Sequence, residues 1–168
     1  DASNRRIATI QTTQGEFIAN KHVVLTTGAW TRKLANDAGV DVPIDPYRRQ
    51  ILVTKAFDQI PTPFPMTVDM GTGLYFHPES GGVLIGMSDN DEPVSFNEAL
   101  NEEFSETMLM AAMERCPVLE NAAINRGWAG LYEVTPDHHP VIDKLGHIEN
   151  AFVCAGFSGH GLMHAPAA

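Results

Sequence analysis

The sequence predicts an α/β chain of the α+β kind, with strand, glycine turn and helix near each end and an antiparallel sheet with one long helix between them. Three observations carry this. The apolar run Val23 to Thr26 and the one that begins at Asn150 each end in a glycine turn followed by a helix pattern. The middle of the chain is cut into short β-prone runs by Pro61, Pro63, Pro65, Gly71, Gly73, Gly81 and Gly82. One stretch, Asn101 to Cys116, has helical periodicity and meets Pro117 just past its end.

Taken in order, the chain first offers a hairpin, Ile7 to Thr12 and Glu16 to Ala19, turning at Gln14-Gly15. The strand Val23 to Thr26 follows, then a short helix from a Thr31 cap through Ala38, stopped by Gly39. A crossover near Val40 to Tyr47 leads to strands at Gln50 to Lys55, Thr67 to Asp69, Leu74 to His77 and Val83 to Gly86. The long helix is expected to bury Phe104, Met108, Ala111, Ala112 and Cys116 on one face, with Met108, Met110 and Met113 as core or flank residues. Strands at Ile124 to Leu131 and Val141 to Lys144 precede the last apolar strand, and a helix opens at His160. No internal repeat or low-complexity tract is visible.

At 168 residues and 43% hydrophobic content, the chain can bury one good core or two small ones. Its net charge of −10 argues against nucleic acid, whose phosphates need a basic face. Seven of the acids lie between Asp89 and Glu106 with no Lys or Arg among them, the pattern of a solvated face. No apolar run is long enough to span a bilayer. Cys116 and Cys154 give no disulfide framework and read as buried free thiols of a reducing compartment, so a cytoplasmic setting is expected.

The turn after the last strand, Gly156-Phe157-Ser158-Gly159-His160-Gly161, aims backbone N–H groups and a helix start at one point, a seat for negative charge. It is not a nucleophile elbow, because His160 stands where the last glycine of Gly-x-Ser-x-Gly belongs. It is not a dinucleotide fingerprint either, because His164 replaces the third glycine. Metal chemistry is disfavoured: His160 and His164 share a helix face but form no H-E-x-x-H, and His138-His139 would point apart on an extended strand.

Four segments in order, VVLTTGAW at Val23 to Trp30, YFHPESGGVLIG at Tyr75 to Gly86, WAGLYEVTPDHHPVID at Trp128 to Asp143, and NAFVCAGFSGHGLMHAPAA from Asn150, resemble the FAD-dependent amino acid and amine oxidoreductases. This is the family of D-amino acid oxidase, glycine oxidase and sarcosine oxidase, and the resemblance is nearest to its sarcosine oxidase beta-subunit and dye-linked proline dehydrogenase branch. It implies that the chain holds the C-terminal part of a Rossmann-like FAD domain plus an antiparallel-sheet substrate domain. The expected boundaries are 1–39 for the end of the first FAD-domain segment, 40–135 for the substrate domain, and 136–168 for the return to the FAD domain. The family's N-terminal glycine-rich loop, which holds the FAD pyrophosphate, is absent, so the chain is expected to be a portion of a longer enzyme clipped at both ends.

By the same resemblance, Thr27, Gly28, Ala29 and Trp30 lie beside the adenosine end of FAD. Gly156, Phe157, Ser158, Gly159, His160, Gly161, Leu162 and Met163 form the flavin-contacting turn. A reduced flavin carries negative charge around N1 and the C2 carbonyl, and glycines let backbone close on the ring. Gly130 aligns with the cysteine that tethers the flavin in monomeric sarcosine oxidase, so a covalent link at that point is excluded. Tyr75 and Tyr132 fall where sarcosine oxidases place substrate-site tyrosines, and a phenol can donate to a carboxylate while its ring lines an apolar slot. Either ring alone can equally finish a sheet core. Met163 replaces the family's carboxylate-binding lysine, and Arg48 or Arg49 is a candidate for the missing cation, although each also fits a surface arginine. The expected function is oxidation of the C–N bond of a small amino acid or secondary amine, of sarcosine, proline or glycine type, with hydride passing to the flavin. The alternatives are a D-amino acid or glycine oxidase of the same fold, or a non-catalytic binding or subunit-contact module. Partner subunits of a hetero-oligomeric oxidoreductase belong to the same expectation.

Overall fold

A computed structural model of the chain describes residues 5–61 and 63–168. The α+β class predicted from the sequence is what forms, as two compact units. Unit 1 comprises residues 1–47 and 132–168, and unit 2 comprises residues 48–131.

In unit 1, β1 (Thr9–Thr12) and β2 (Gly15–Ile18) make the expected antiparallel hairpin, with Thr12 opposite Gly15. Strand β3 (Val23–Leu25) runs parallel to β10 (Ala151–Ala155), which also pairs antiparallel with β9 (Val141–Lys144). Alternation along β10 buries Ala151, Val153 and Ala155, which pack with Ala35, Ile44, Leu145 and Ile148 into one core. Buried Asn150 satisfies the chain start, accepting from the Ile7 N–H and donating to the Ile7 carbonyl, each at 2.9 Å.

Helix α1 spans Thr31–Asp37 and is entered through a 3-10 turn at Gly28–Trp30. Thr31 is therefore not its cap. The residue is fully buried, and its hydroxyl lies 3.1 Å from that of Thr27 instead of on a backbone N–H. Gly39, at φ +79°, ends the helix as expected, while Val40 N donates to the Ala35 carbonyl. Arg32 bridges Asp41 at 2.8 Å and Asp45 at 2.6 Å, and those hydrogen bonds, Asp41 first, raise its pKa further.

Unit 2 is built on a five-stranded sheet in the order β5 (Thr67–Val68), β6 (Tyr75–Glu79), β7 (Gly82–Met87), β4 (Asp45–Thr54), β8 (Ile124–Val134). The β5–β6, β6–β7 and β7–β4 pairs are antiparallel. Helix α2 (Glu102–Arg115) is capped by Asn101, whose side chain accepts from Phe104 N at 3.2 Å. Met108 and Ala112 are fully buried and join Leu52, Leu74, Val83 and Ile85 in the core.

One expectation about polar residues fails here. The run from Asp89 to Glu106 is not wholly a solvated face. Glu92 is buried and pairs with Arg48 at 2.9 Å, their side chains being 4% and 12% exposed, and Arg48 also donates to the Ala99 carbonyl. The buried face of α2 includes Ser105, because Gln50 Nε2 donates to its hydroxyl at 2.8 Å. Cys116 and Cys154 are free but half-buried rather than buried. Among the described residues, no helix is long and apolar enough to cross a membrane.

Candidate functional site

The segments singled out in unit 1 meet where three strands end. Strand β3 runs into Thr27 and Gly28, the latter at φ +53°. Strand β10 runs into Gly156-Phe157-Ser158-Gly159, with φ of +79° at Gly156, +52° at Ser158 and +94° at Gly159. Strand β8 ends nearby with Tyr132, Glu133 and Val134.

The turn after β10 is held from within the unit. Ser158 N donates to the Glu133 carbonyl at 3.1 Å, and Phe157 N donates to Glu133 Oε1 at 3.2 Å. The Ser158 hydroxyl lies under it, donating to the Gly156 carbonyl at 3.3 Å and accepting from Thr135 N at 3.4 Å. Side chains fit only in places. A Cβ at Gly156 would lie 2.6 Å from Thr135 Cγ2, and one at Gly159 would overlap the Tyr132 ring. Ser158 holds a left-handed backbone without being glycine, a strained geometry kept by hydrogen bonds to its three neighbours Glu133, Thr135 and Gly156.

Past the turn, helix α3 is the single turn Gly161–His164, so the dipole expected to open at His160 is that of one turn only. Gly161 is not at positive φ, and a Cβ there would sit 3.3 Å from Phe157 Cβ. Leu162 and Met163 are 95% and 69% exposed, and the His160 and His164 rings stack with centroids 5.9 Å apart. His138 and His139 occupy a turn, not an extended strand, with His138 at φ +59°. In that turn the His139 backbone N–H, bonded to Asp137, holds the Asp137 carboxyl below its ordinary value. Ala29 is buried and Trp30 is exposed. A cavity of about 550 Å³ over Val24, Ile142 and Phe152 takes in none of the predicted site residues.

Tyr75, Arg49 and Gly130 belong to unit 2. Tyr75 pairs across the sheet with Gly86, and a Cβ on Gly86 would overlap its ring. Arg49 Nη1 donates to the Arg48 carbonyl at 2.8 Å, whereas Arg48 pairs with Glu92. At Gly130 a Cβ would meet nothing within 4 Å.

Sequence reasoning missed Glu133. Its signal was available in YEVTPD: a carboxylate beside Tyr132 on an otherwise apolar strand end, which alternation turns to the face opposite the phenol.

The profile of the family described as DAO, FAD dependent oxidoreductase, matches residues 1–168. The chain belongs to the FAD dependent oxidoreductase family. Among curated relatives, this member of the family is 32% identical over 168 residues to monomeric sarcosine oxidase of Bacillus sp. (strain NS-129), covering 92% of the chain and 43% of that protein. Among solved structures it is similar to L-proline dehydrogenase from P. horikoshii, with a TM-score of 0.86 and 30% identity over 99% of the chain and 45% of that one. It is also similar to glycine oxidase from Geobacillus kaustophilus, with a TM-score of 0.83 and 25% identity, covering 95% of the chain and 42% of that one. The chain thus spans less than half the length of these relatives.

Proposed function

We propose that the protein containing this chain oxidises the C–N bond of a small amino acid or secondary amine, of the sarcosine, proline or glycine type named in its relatives. FAD, when bound, supplies the hydride acceptor. The observation that carries the reading is the junction of family-matching segments in unit 1, where the Gly156-to-Gly159 turn is hydrogen-bonded to Glu133 at the end of β8 and the Gly28 turn lies against the same side chain. A buried carboxylate oxygen of Glu133 that lacks a donor in the structure fits a unit 1 that receives a group bearing O–H or N–H donors.

In this reading unit 1 carries the FAD contacts at Thr27 to Trp30 and at Gly156 to Met163, and unit 2 carries the substrate sheet. Tyr75 and Tyr132 orient the substrate by donating from their phenols to its carboxylate, and Arg49 supplies positive charge. Gly130 offers no nucleophile, so acid precipitation is expected to release the flavin and leave none on a peptide containing Gly130.

The test uses the protein from the complete gene. It should purify with FAD, and anaerobic addition of sarcosine, proline, glycine and their N-methyl or D relatives should bleach the flavin with at least one of them. A flavin-free protein, or a flavin that no amine or amino acid reduces, overturns the reading. Tyr75→Phe and Tyr132→Phe should each slow flavin reduction about 5- to 100-fold, the loss of one hydrogen bond to a charged group, with thermal stability nearly unchanged. Undiminished reduction in both variants returns the two rings to a packing role.

A further inference from the structure

The Glu133 carboxylate sits at the unit 1 junction and has as yet no assigned role in the proposed chemistry. Its Oε1 accepts from Phe157 N at 3.2 Å, and its backbone oxygen accepts from Ser158 N at 3.1 Å. Its Oε2 is buried and has no hydrogen-bond partner in the structure. That oxygen lies against the other glycine turn, where a Cβ on Gly28 would come within 3.2 Å of it.

A buried carboxylate oxygen without a donor is destabilising, more so than a neutral amide in the same place. Pinning the Phe157 N–H requires only one acceptor. Glutamine would provide that acceptor without burying a charge, so the turn alone gives no reason for glutamate. What distinguishes glutamate here is a second oxygen free to accept. The two glycine turns that converge on Glu133 are those expected to contact FAD, and FAD presents hydroxyls on its ribityl chain and ribose and an N–H on its ring.

We propose, resting on the reading of this protein as an FAD enzyme, that Glu133 is a positioning residue of the cofactor seat. Oε1 fixes the turn after β10, and Oε2 accepts a hydrogen bond from an O–H or N–H donor of bound FAD. Oε2 is buried with the Gly28 turn beside it, so the donor reaches it by a rotation of the carboxylate or a shift of the Gly28 turn on binding. Gly28 has no side chain to obstruct either movement.

The experiment compares wild type with Glu133→Gln in the protein from the complete gene, stripped of FAD and titrated back, with the apoprotein melting temperature as the second readout. Glutamine keeps an acceptor for Phe157 N–H but sets a donor against the donor of FAD. The FAD dissociation constant should rise about 10- to 100-fold, the range of a charged hydrogen bond, while the apoprotein melts near the wild-type temperature. Unchanged FAD affinity overturns the proposal and leaves Glu133 as a pin for the turn. A lowered apoprotein melting temperature with unchanged FAD affinity says the same.

A second measurement does not depend on the variant folding. Wild type is titrated with FAD analogues lacking single ribityl or ribose hydroxyls, or methylated at ring N3. At least one analogue should bind about 10-fold more weakly, and equal affinity for all of them overturns the proposal. Wild-type protein that takes up no FAD removes the functional reading and this proposal together. Wild type that binds FAD, with a glutamine variant that binds it equally well, removes this proposal alone.

Discussion

Each candidate tyrosine rests on a glycine, but the two glycines are required for different reasons. Gly86 sits mid-strand opposite Tyr75 without a positive φ, so the ring, and not the backbone dihedral, is what a Cβ there meets first. Gly159 lies beneath Tyr132 at φ +94°, a backbone that disfavours a side chain whether or not the ring is present. Gly86→Ala should therefore destabilise the protein by about 1–3 kcal/mol through overpacking, and the penalty should largely vanish in a Tyr75→Ala background. Gly159→Ala should keep a cost of about 1 kcal/mol or more even with Tyr132→Ala, because the strained dihedral remains. Urea unfolding of the two double-mutant cycles separates the cases. Equal penalties for Gly86→Ala in both backgrounds would show that the Tyr75 ring is not what requires the glycine.

The elements of unit 2 are joined by polar contacts that local sequence pattern does not announce. Arg48 on β4 meets Glu92, separated by 44 residues, and Gln50 on the same strand meets Ser105 on α2, separated by 55. The hairpin, the short strands and the long helix were legible because each is written in residues a few positions apart: alternation, a glycine or proline stop, an Asn before two glutamates. The burial of Glu92 and Ser105 was not, since an acid in an acidic run looks solvated until its distant arginine is known. Thr31 misled for a related reason, because a threonine before a helix reads as a cap until tertiary burial claims its hydroxyl. At the candidate site, the glycine turn was legible and the residue pinning it, Glu133, was not. Its role depends on β8 and β10 ending side by side. Glu92→Ala should cost about 3–5 kcal/mol by leaving the Arg48 guanidinium largely buried without its partner, whereas replacing both residues by Met should cost less than the single change. Thermal denaturation of the two variants beside wild type decides it, and a single change no worse than the double would mean that the pair is solvated after all.

At the scale of the whole molecule, the two units differ in how the chain supplies them. Unit 2 is one continuous stretch, residues 48–131, with its own core around Leu52, Leu74, Ile85, Met108 and Leu119 and a sheet whose β5, β6 and β7 are neighbours in sequence. Unit 1 is assembled from residues 1–47 and 132–168, and its parallel pair sets Val23 against Ala151 across nearly the whole chain. Closing so long a loop costs entropy before any contact compensates it, while local hairpins and a helix packed on them form early. A polypeptide of residues 48–131 should therefore fold without unit 1, whereas the two stretches of unit 1, mixed without the intervening chain, should not form the β3–β10 pair. Circular dichroism and amide exchange test both halves of this. The 48–131 polypeptide should unfold cooperatively, with slow exchange at β7 and α2. A polypeptide that shows no cooperative transition would mean that β4 and β8 depend on residues 45–47 and 132–134 of unit 1 to hold the sheet.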